Sequence, residues 1–169
     1  TTLTLISNIG FVLFLLSFTF DKRVRRFVFW FVNKFPLHII LGVSLSGLVF
    51  SLLYSNITNF PPCELCWIQR IFLYPQVLLS LMALLRKDLS MVSYLFPLTI
   101  MGTLVSFYHS LVQWGFGTGL LACTAVGGEC AKVYVLEYGY ITIPFMALSS
   151  FVYLLTVSLI YFWSKKQII

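Results

Sequence analysis

Residues 63–87, which read CELCWIQRIFLYPQVLLSLMALLRK, decide the fold class of this chain. The middle of the stretch, residues 67–85, is almost continuously apolar, and a helix of about 20 such residues crosses the roughly 30 Å hydrocarbon core of a bilayer. A C-x-x-C motif precedes the apolar run, and two basic residues, Arg86 and Lys87, follow it. The stretch therefore predicts a membrane-spanning helix with two cysteines at one mouth and positive charge at the other.

Four further apolar stretches occur along the chain, at residues 3–20, 38–54, 91–114 and 141–163. Hydrophobic residues make up 60% of the chain and charged residues only 9%, whereas a soluble domain carries about 25% charged residues. Backbone groups in lipid must bond within their own segment, which favours helices, and the runs do not alternate as barrel strands do. We therefore predict an all-α integral membrane protein of about five spans, a four-helix transmembrane bundle plus an additional N-terminal hydrophobic helix.

The positive charge of the chain is concentrated on one side of this arrangement. All basic residues except Arg70 and Lys132 lie between the first two spans, in the turn after the third span, or in the C-terminal tail. Lys and Arg mark the cytoplasmic loops of membrane proteins, so these segments are predicted to face the cytoplasm. The net charge of +6 could suggest nucleic acid binding. Because the basic residues form short clusters between apolar runs, we expect contact with membrane lipid and no nucleic acid partner.

Two regions follow from this pattern. Residues 1–37 are predicted to form an N-terminal hydrophobic helix with a basic interfacial linker, and residues 38–169 to form the four-helix membrane domain. Within the first region, FVFWFVNKFPL at residues 27–37 is too short to span a bilayer. Its aromatic residues and flanking charge favour a helix lying at the membrane interface, with a plain linker as the alternative.

All four cysteines fall on the side opposite the basic clusters. Cys63 and Cys66 lie at the mouth of the third span, and Cys123 and Cys130 lie in the outer loop that follows the fourth. Extracellular and periplasmic compartments are oxidising and permit disulfides. Four cysteines allow three pairings. Spacing favours Cys63 with Cys66 and Cys123 with Cys130, because Gly127-Gly128 can supply a tight turn within the second pair.

A redox role for these cysteines competes with two structural roles. As a staple, a C-x-x-C disulfide closes a very small loop and contributes little entropic stabilisation. As a zinc site, the second pair lacks the tight spacing of a zinc ribbon, so we expect no metal. The pattern therefore favours a redox role, in which one cysteine pair exchanges electrons with the other.

Three polar residues inside the predicted spans, Arg70, His109 and Gln113, are candidate site residues. Cys66 lies at a helix N-terminus, which favours a thiolate, and Arg70 shares its helical face. Arg70 could simply extend to the lipid headgroups, but a charge one turn into a span is costly and usually functional. His109 and Gln113 share a face of the fourth span, at a depth where the polar head of a lipid-soluble cofactor could lie. The alternative for His109 is a structural role.

The sequence resembles the DsbB family and its Gram-positive BdbC-type members. CELCWIQR at residues 63–70 resembles the family's C-x-x-C-x-x-x-Arg signature, and YHSLVQ at residues 108–113 resembles its histidine-containing segment. Cys123 and Cys130 resemble the loop pair, with the short spacing of the BdbC type. YITIPFMALSSF at residues 140–151 is similar to the start of the last family helix.

The resemblance, which covers residues 38–163, implies a protein-disulfide:quinone oxidoreductase in the bacterial cytoplasmic (inner) membrane, with its cysteines facing the periplasm or cell exterior. It implies that Cys123 and Cys130 accept electrons from a DsbA-like thioredoxin-fold oxidase. Cys63 and Cys66 would pass these electrons to ubiquinone or menaquinone.

The resemblance also implies that Cys66 is the sulfur nearest the quinone and that Arg70 and His109 hold the quinone ring. The N-terminal apolar segment is additional to the four family spans, so its role is open.

Two other functions fit parts of the pattern. A vitamin K epoxide reductase-like enzyme also combines a C-x-x-C motif with a loop pair, but there the loop pair comes first in sequence. A non-catalytic membrane module with structural disulfides is the alternative from another class. It predicts that replacing Cys63 or Cys66 by serine leaves activity intact.

Overall fold

The computed structural model describes residues 2–57, 62–116, 123, 129–136 and 138–168. This part of the chain is helical and contains no strand. The helices, in chain order, are α1 (Thr2–Phe20), α2 (Lys22–Lys34), α3 (Pro36–Asn56), α4 (Glu64–Arg86), α5 (Met91–Gln113) and α6 (Ile143–Ile168). The predicted all-α class is confirmed.

Every helix except α2 is long and apolar enough to cross a membrane, which confirms the five-span prediction. Large apolar side chains such as Leu78 and Leu104 are exposed on the outer faces of these helices. Continuous apolar surface of this kind is rare on soluble proteins and suits contact with lipid. The chain is a multi-pass membrane protein.

Helix α2 corresponds to the predicted interfacial segment, but its boundaries differ from residues 27–37. It begins after Asp21, whose side chain accepts a hydrogen bond from the backbone N–H of Arg23 at 2.8 Å and so caps the helix. It ends at Lys34 because α3 begins at Pro36, a residue that suits the first turn of a helix. The polar cap at Asp21 therefore starts this helix earlier than its aromatic content suggested.

Helices α3, α4, α5 and α6 pack on one another as a bundle, and α2 packs against α6 and α1. At one crossing Gly102 of α5 faces Phe151 of α6. A Cβ atom on Gly102 would lie 2.1 Å from the Phe151 ring, so only glycine permits this approach. Between α4 and α5 the buried Thr99 hydroxyl donates to Gln76 Oε1 at 3.1 Å, a polar link of the kind that joins helices in lipid.

Helix α1 lies against α2 and α6. Its N-terminal half is joined to α6 by polar contacts, in which Ser7 Oγ donates to Tyr153 Oη at 3.0 Å and the Tyr153 hydroxyl donates to Asn8 Oδ1. Phe11 packs on the ring of the same tyrosine, with centroids 4.6 Å apart. These contacts hold the N-terminal half of α1 beside the N-terminal half of α6, the half nearer the cysteines.

Candidate active site

The C-x-x-C motif forms the start of α4. Cys63 is the N-cap residue, with an extended backbone, and its Sγ accepts a hydrogen bond from the Cys66 backbone N–H at 3.4 Å. Cys66 lies one turn later, and the two Sγ atoms are 3.0 Å apart. A small approach of the sulfurs therefore closes a disulfide, whose bond length is about 2.05 Å.

The hydrogen bonds at Cys63 favour its thiolate. The thiol of Cys66 is the main cause, and together with the His109 ring it lowers the pKa of Cys63 from 9.0 to about 4, against the opposing effect of burial. The sequence argument attributed helix-terminal stabilisation to Cys66. In the structure the capping position belongs to Cys63, because α4 begins at Glu64.

The second pair forms a disulfide between Cys123 and Cys130, with Cα atoms 5.2 Å apart, as the spacing predicted. The Cys130 backbone N–H also donates to the Cys123 carbonyl at 3.0 Å. The predicted Gly127-Gly128 turn lies outside the described residues. Both sulfurs pack into a small apolar cluster with Leu65, and Cys63 packs against this cluster. The loop pair therefore lies directly over the start of α4.

His109 is located between the two cysteine pairs. It is fully buried, with Nε2 3.6 Å from Cys63 Sγ and 3.3 Å from the Cys130 carbonyl oxygen. Its Nδ1 lies 3.2 Å from Gln69 Nε2. If the Gln69 amide donates to Nδ1, the ring carries its proton on Nε2 and presents it to the Cys63 sulfur and the Cys130 carbonyl. His109 thus joins the loop pair to the C-x-x-C pair.

Three potential metal-ligand atoms lie close together at this site. Cys63 Sγ, Cys66 Sγ and a ring nitrogen of His109 all lie within 4.8 Å of one another. Two thiolates on tetrahedral zinc at Zn–S distances of about 2.3 Å stand roughly 3.8 Å apart, farther than the 3.0 Å between these sulfurs. The spacing fits disulfide chemistry better than zinc, and the expectation of no metal stays a prediction.

Arg70 is held by α3 and by its own helix. Its Nε donates to Ser51 Oγ at 3.0 Å, its Nη2 donates to the Ser51 carbonyl at 3.3 Å, and its guanidinium lies over the Trp67 ring at 5.1 Å. A guanidinium carries five N–H donors, so these bonds leave others free to meet a ligand. The Arg70 side chain is therefore bonded within the protein. The alternative that the sequence left open was a side chain extended to the lipid headgroups.

A cavity of about 420 Å³ opens beside these residues, a size within the range of small-molecule sites. Its walls come from α1, from α3 to α6 and from the loop that carries Cys130, and most of their surface is apolar. The polar or reactive side chains on them include Cys63, Cys66, Gln69, Arg70, Gln113, Glu129 and Lys132. The C-x-x-C pair therefore faces the loop pair on one side and an apolar cavity on the other.

The two candidates from α5 occupy different places. Gln113 lines the cavity, and its amide donates to the Lys132 carbonyl at 2.9 Å. Its buried Oε1 has no hydrogen-bond partner among the described residues. His109 is not among the cavity-lining residues and lies instead beside the sulfurs. Gln69, which orients His109, was not predicted, although a glutamine inside an apolar span was a signal that could have indicated it.

A profile described as "Disulfide bond formation protein DsbB" matches residues 33–161. The chain belongs to the DsbB family. Relatives include the SPbeta prophage-derived disulfide bond formation protein B of Bacillus subtilis, which is 39% identical over 117 residues, 69% of this chain and 78% of the relative. Disulfide bond formation protein C of the same species is 41% identical over 112 residues, 65% of this chain and 80% of the relative.

A further relative, probable disulfide formation protein C 1 of Bacillus anthracis, is 36% identical over 138 residues, 79% of this chain and 96% of the relative. No solved structure gives a significant match. Membership of the DsbB family confirms the resemblance found in the sequence and makes this chain a membrane disulfide-forming oxidoreductase. The match begins inside α2, so α1 lies outside it. The division at residues 37 and 38 stays a prediction.

Proposed function

We propose that this DsbB-family protein reoxidises a DsbA-like thioredoxin-fold oxidase and passes the electrons to a membrane quinone, ubiquinone or menaquinone. The observation that carries the proposal is the position of the C-x-x-C pair. Cys63 packs against the loop disulfide, while Cys63 and Cys66 line an apolar cavity that also contains Arg70. Electrons that enter at the loop disulfide can therefore pass through Cys63 and Cys66 to an acceptor bound in the cavity.

The first step is exchange between the partner and the loop disulfide. A thiolate of the reduced partner attacks one loop sulfur, and the partner's second thiol then resolves the mixed disulfide, so that the partner gains a disulfide and the loop becomes a dithiol. Cys123 is 8% exposed and Cys130 is 0% exposed. Access therefore favours Cys123 as the sulfur that meets the partner, with Cys130 as the leaving thiolate.

The second step transfers the electron pair to a Cys63–Cys66 disulfide. A loop thiolate attacks Cys63, which packs against the apolar cluster of Leu65 and the two loop cysteines. Cys66 then leaves as the thiolate. The second loop thiol completes the exchange, which restores the loop disulfide and leaves Cys63 and Cys66 reduced. His109 contacts both the Cys63 sulfur and the Cys130 carbonyl oxygen. It can therefore keep the loop pair close to Cys63 and hold a proton at Nε2.

The cavity residues fit a quinone as the final acceptor. A quinone has carbonyl oxygens that accept hydrogen bonds and a long apolar tail, and on reduction it takes up two electrons and two protons. Arg70 offers fixed donors, Gln113 offers an amide at the cavity wall, and most of the lining surface is apolar. Cys66 lines this cavity directly, so its sulfur can contact the acceptor.

We place the protein in the bacterial cytoplasmic membrane, with the cysteines toward the periplasm or cell exterior. The basic residues support this orientation, since α2 and the turn after α4 carry most of them and lie at the opposite ends of the spans from Cys63.

The test combines purified protein in lipid nanodiscs, a reduced DsbA-like partner and either a ubiquinone or a menaquinone. One quinol should form for each partner disulfide, as followed by quinone absorbance and thiol titration. Cys66→Ser should abolish quinol formation, while Ser93→Ala, on the exposed surface at the far end of α5, should match the parent. Persistence of partner thiols without quinol formation would overturn the proposal.

A further inference from the structure

Helix α1 is the feature of this chain that family membership does not explain. The family match begins at residue 33, beyond the end of α1 at Phe20. Yet Leu3, Thr4 and Ser7 of α1 line the same cavity as the redox pair and Arg70. A segment outside the family core therefore contributes part of the cavity wall.

The contacts of α1 show how this wall is held. Ser7 and Asn8 bond to the Tyr153 hydroxyl, and Phe11 packs on its ring. Most large apolar side chains of α1, such as Ile6 and Ile9, are exposed to the lipid side. Since lipid gives apolar helices little drive to associate, polar links and close packing carry much of the affinity between spans. The tyrosine contacts therefore hold the N-terminal half of α1 against α6, while Phe18 at its other end packs on Phe29 of α2.

The walls opposite α1 leave room for an apolar chain. On α3 the cavity is lined by Val43, Gly47 and Phe50, and on α6 by Ala147 and Ser150. Ala147 and Ser150 are small and do not fill the space between the two helices, whereas the missing side chain of Gly47 makes room for Leu73 of α4. Without α1, this side of the cavity would open to the surrounding lipid.

We propose that α1 forms the lipid-side wall of the acceptor site and holds the ring-proximal part of the quinone's isoprenoid tail. The polar end of the cavity, with Arg70 and the cysteines, takes the carbonyl-bearing ring. The tail leaves past Thr4 and Ser7, between α1 and the α3/α6 pair. This inference depends on the proposed function, because it assigns the tail of the same acceptor.

The test uses the full chain with a bulky substitution on each face of α1. Thr4→Trp fills the cavity from the α1 side, and Ile6→Trp places the same side chain on the lipid face, where Ile6 is 67% exposed. The KM and kcat are measured for an isoprenylated quinone and for the same ring without its tail. Thr4→Trp should raise the KM for the isoprenylated quinone by about tenfold, the effect of losing about 1.4 kcal/mol of binding. The KM for the tailless quinone should change little, and Ile6→Trp should match the parent with both.

A second variant guards against misfolding as the explanation. Tyr153→Phe removes one hydroxyl and its bonds to Ser7 and Asn8 while keeping the ring that packs on Phe11. It should raise the KM for the isoprenylated quinone in the same direction by a smaller factor. Exchange between the partner and the loop disulfide, measured without quinone, should be unchanged in every variant.

The outcomes separate the two proposals. Equal KM increases for tailed and tailless quinones, or equal effects of Thr4→Trp and Ile6→Trp, would overturn the role of α1 and leave the proposed function standing. If the parent protein reduces no quinone of either kind, the proposed function fails and this inference fails with it.

Discussion

The lowered pKa of Cys63 leads to a direct prediction about its reactivity in the reduced protein. At pH 6 a thiol with a pKa of 9.0 is about 0.1% thiolate, whereas a pKa of about 4 makes it about 99% thiolate. Since the thiolate is the nucleophile, alkylation of Cys63 should proceed at a nearly constant rate from pH 8 down to about pH 5. The rate should then fall as the pH drops through about 4.

The assay is pulsed alkylation with iodoacetamide over this pH range, followed by fragmentation mass spectrometry that assigns the label to Cys63 or Cys66. Cys66→Ala should shift the midpoint upward more than His109→Gln, because the Cys66 thiol is the largest cause of the lowered pKa. Cys66→Ser should shift it less than Cys66→Ala, since a hydroxyl can still donate. A Cys63 midpoint above pH 8 in the parent protein would refute the hydrogen-bonding argument.

Three other predictions concern the acceptor site and the bundle. Arg70→Lys keeps the charge but loses the Nε bond and the planar contact with the indole, so the quinone KM should rise while partner exchange is unaffected. An unchanged KM would show that Arg70 does not contact the acceptor. Gly102→Ala should destabilise the bundle by about 1–3 kcal/mol through overpacking, whereas Gly10→Ala, with nothing within 4 Å, is the control. Both are measured by unfolding in mixed micelles, and equal stabilities would contradict the close packing. Thr99→Val should cost about 0.6 kcal/mol by removing the bond between α4 and α5, and a neutral result in the same assay would mean that this bond contributes nothing.

The five spans and the location of the C-x-x-C motif were predictable because they depend on local properties of the chain. A run of about 20 apolar residues is sufficient to predict a span, and the structure has helices at all five places. The disulfide between Cys123 and Cys130 was predictable for a similar reason, since its partners are close in sequence. The start of α2 was less predictable, because Asp21 caps the helix ahead of the aromatic segment.

The rotation of each span about its own axis was not predictable from the same information. A helix that is apolar on all sides presents no distinct face, so its sequence does not indicate which residues point to the bundle interior. His109 illustrates this point. Its place in α5 was known, but its rotation toward Cys63 and Cys130, and its link to Gln69, depend on how α4 and α5 pack.

The sequence by itself determined the membrane class, the number of spans, the redox motif and the family resemblance, because each follows from hydrophobicity and short-range spacing. Tertiary structure alone decided that Cys63 caps α4 and receives the hydrogen bonds, that His109 lies between the two cysteine pairs, and that α1 closes a cavity beside Arg70. Apart from the cap, which joins Cys63 to Cys66 three residues later, these features join residues far apart in the chain. Their positions depend on helix packing, which continuous apolar runs do not encode.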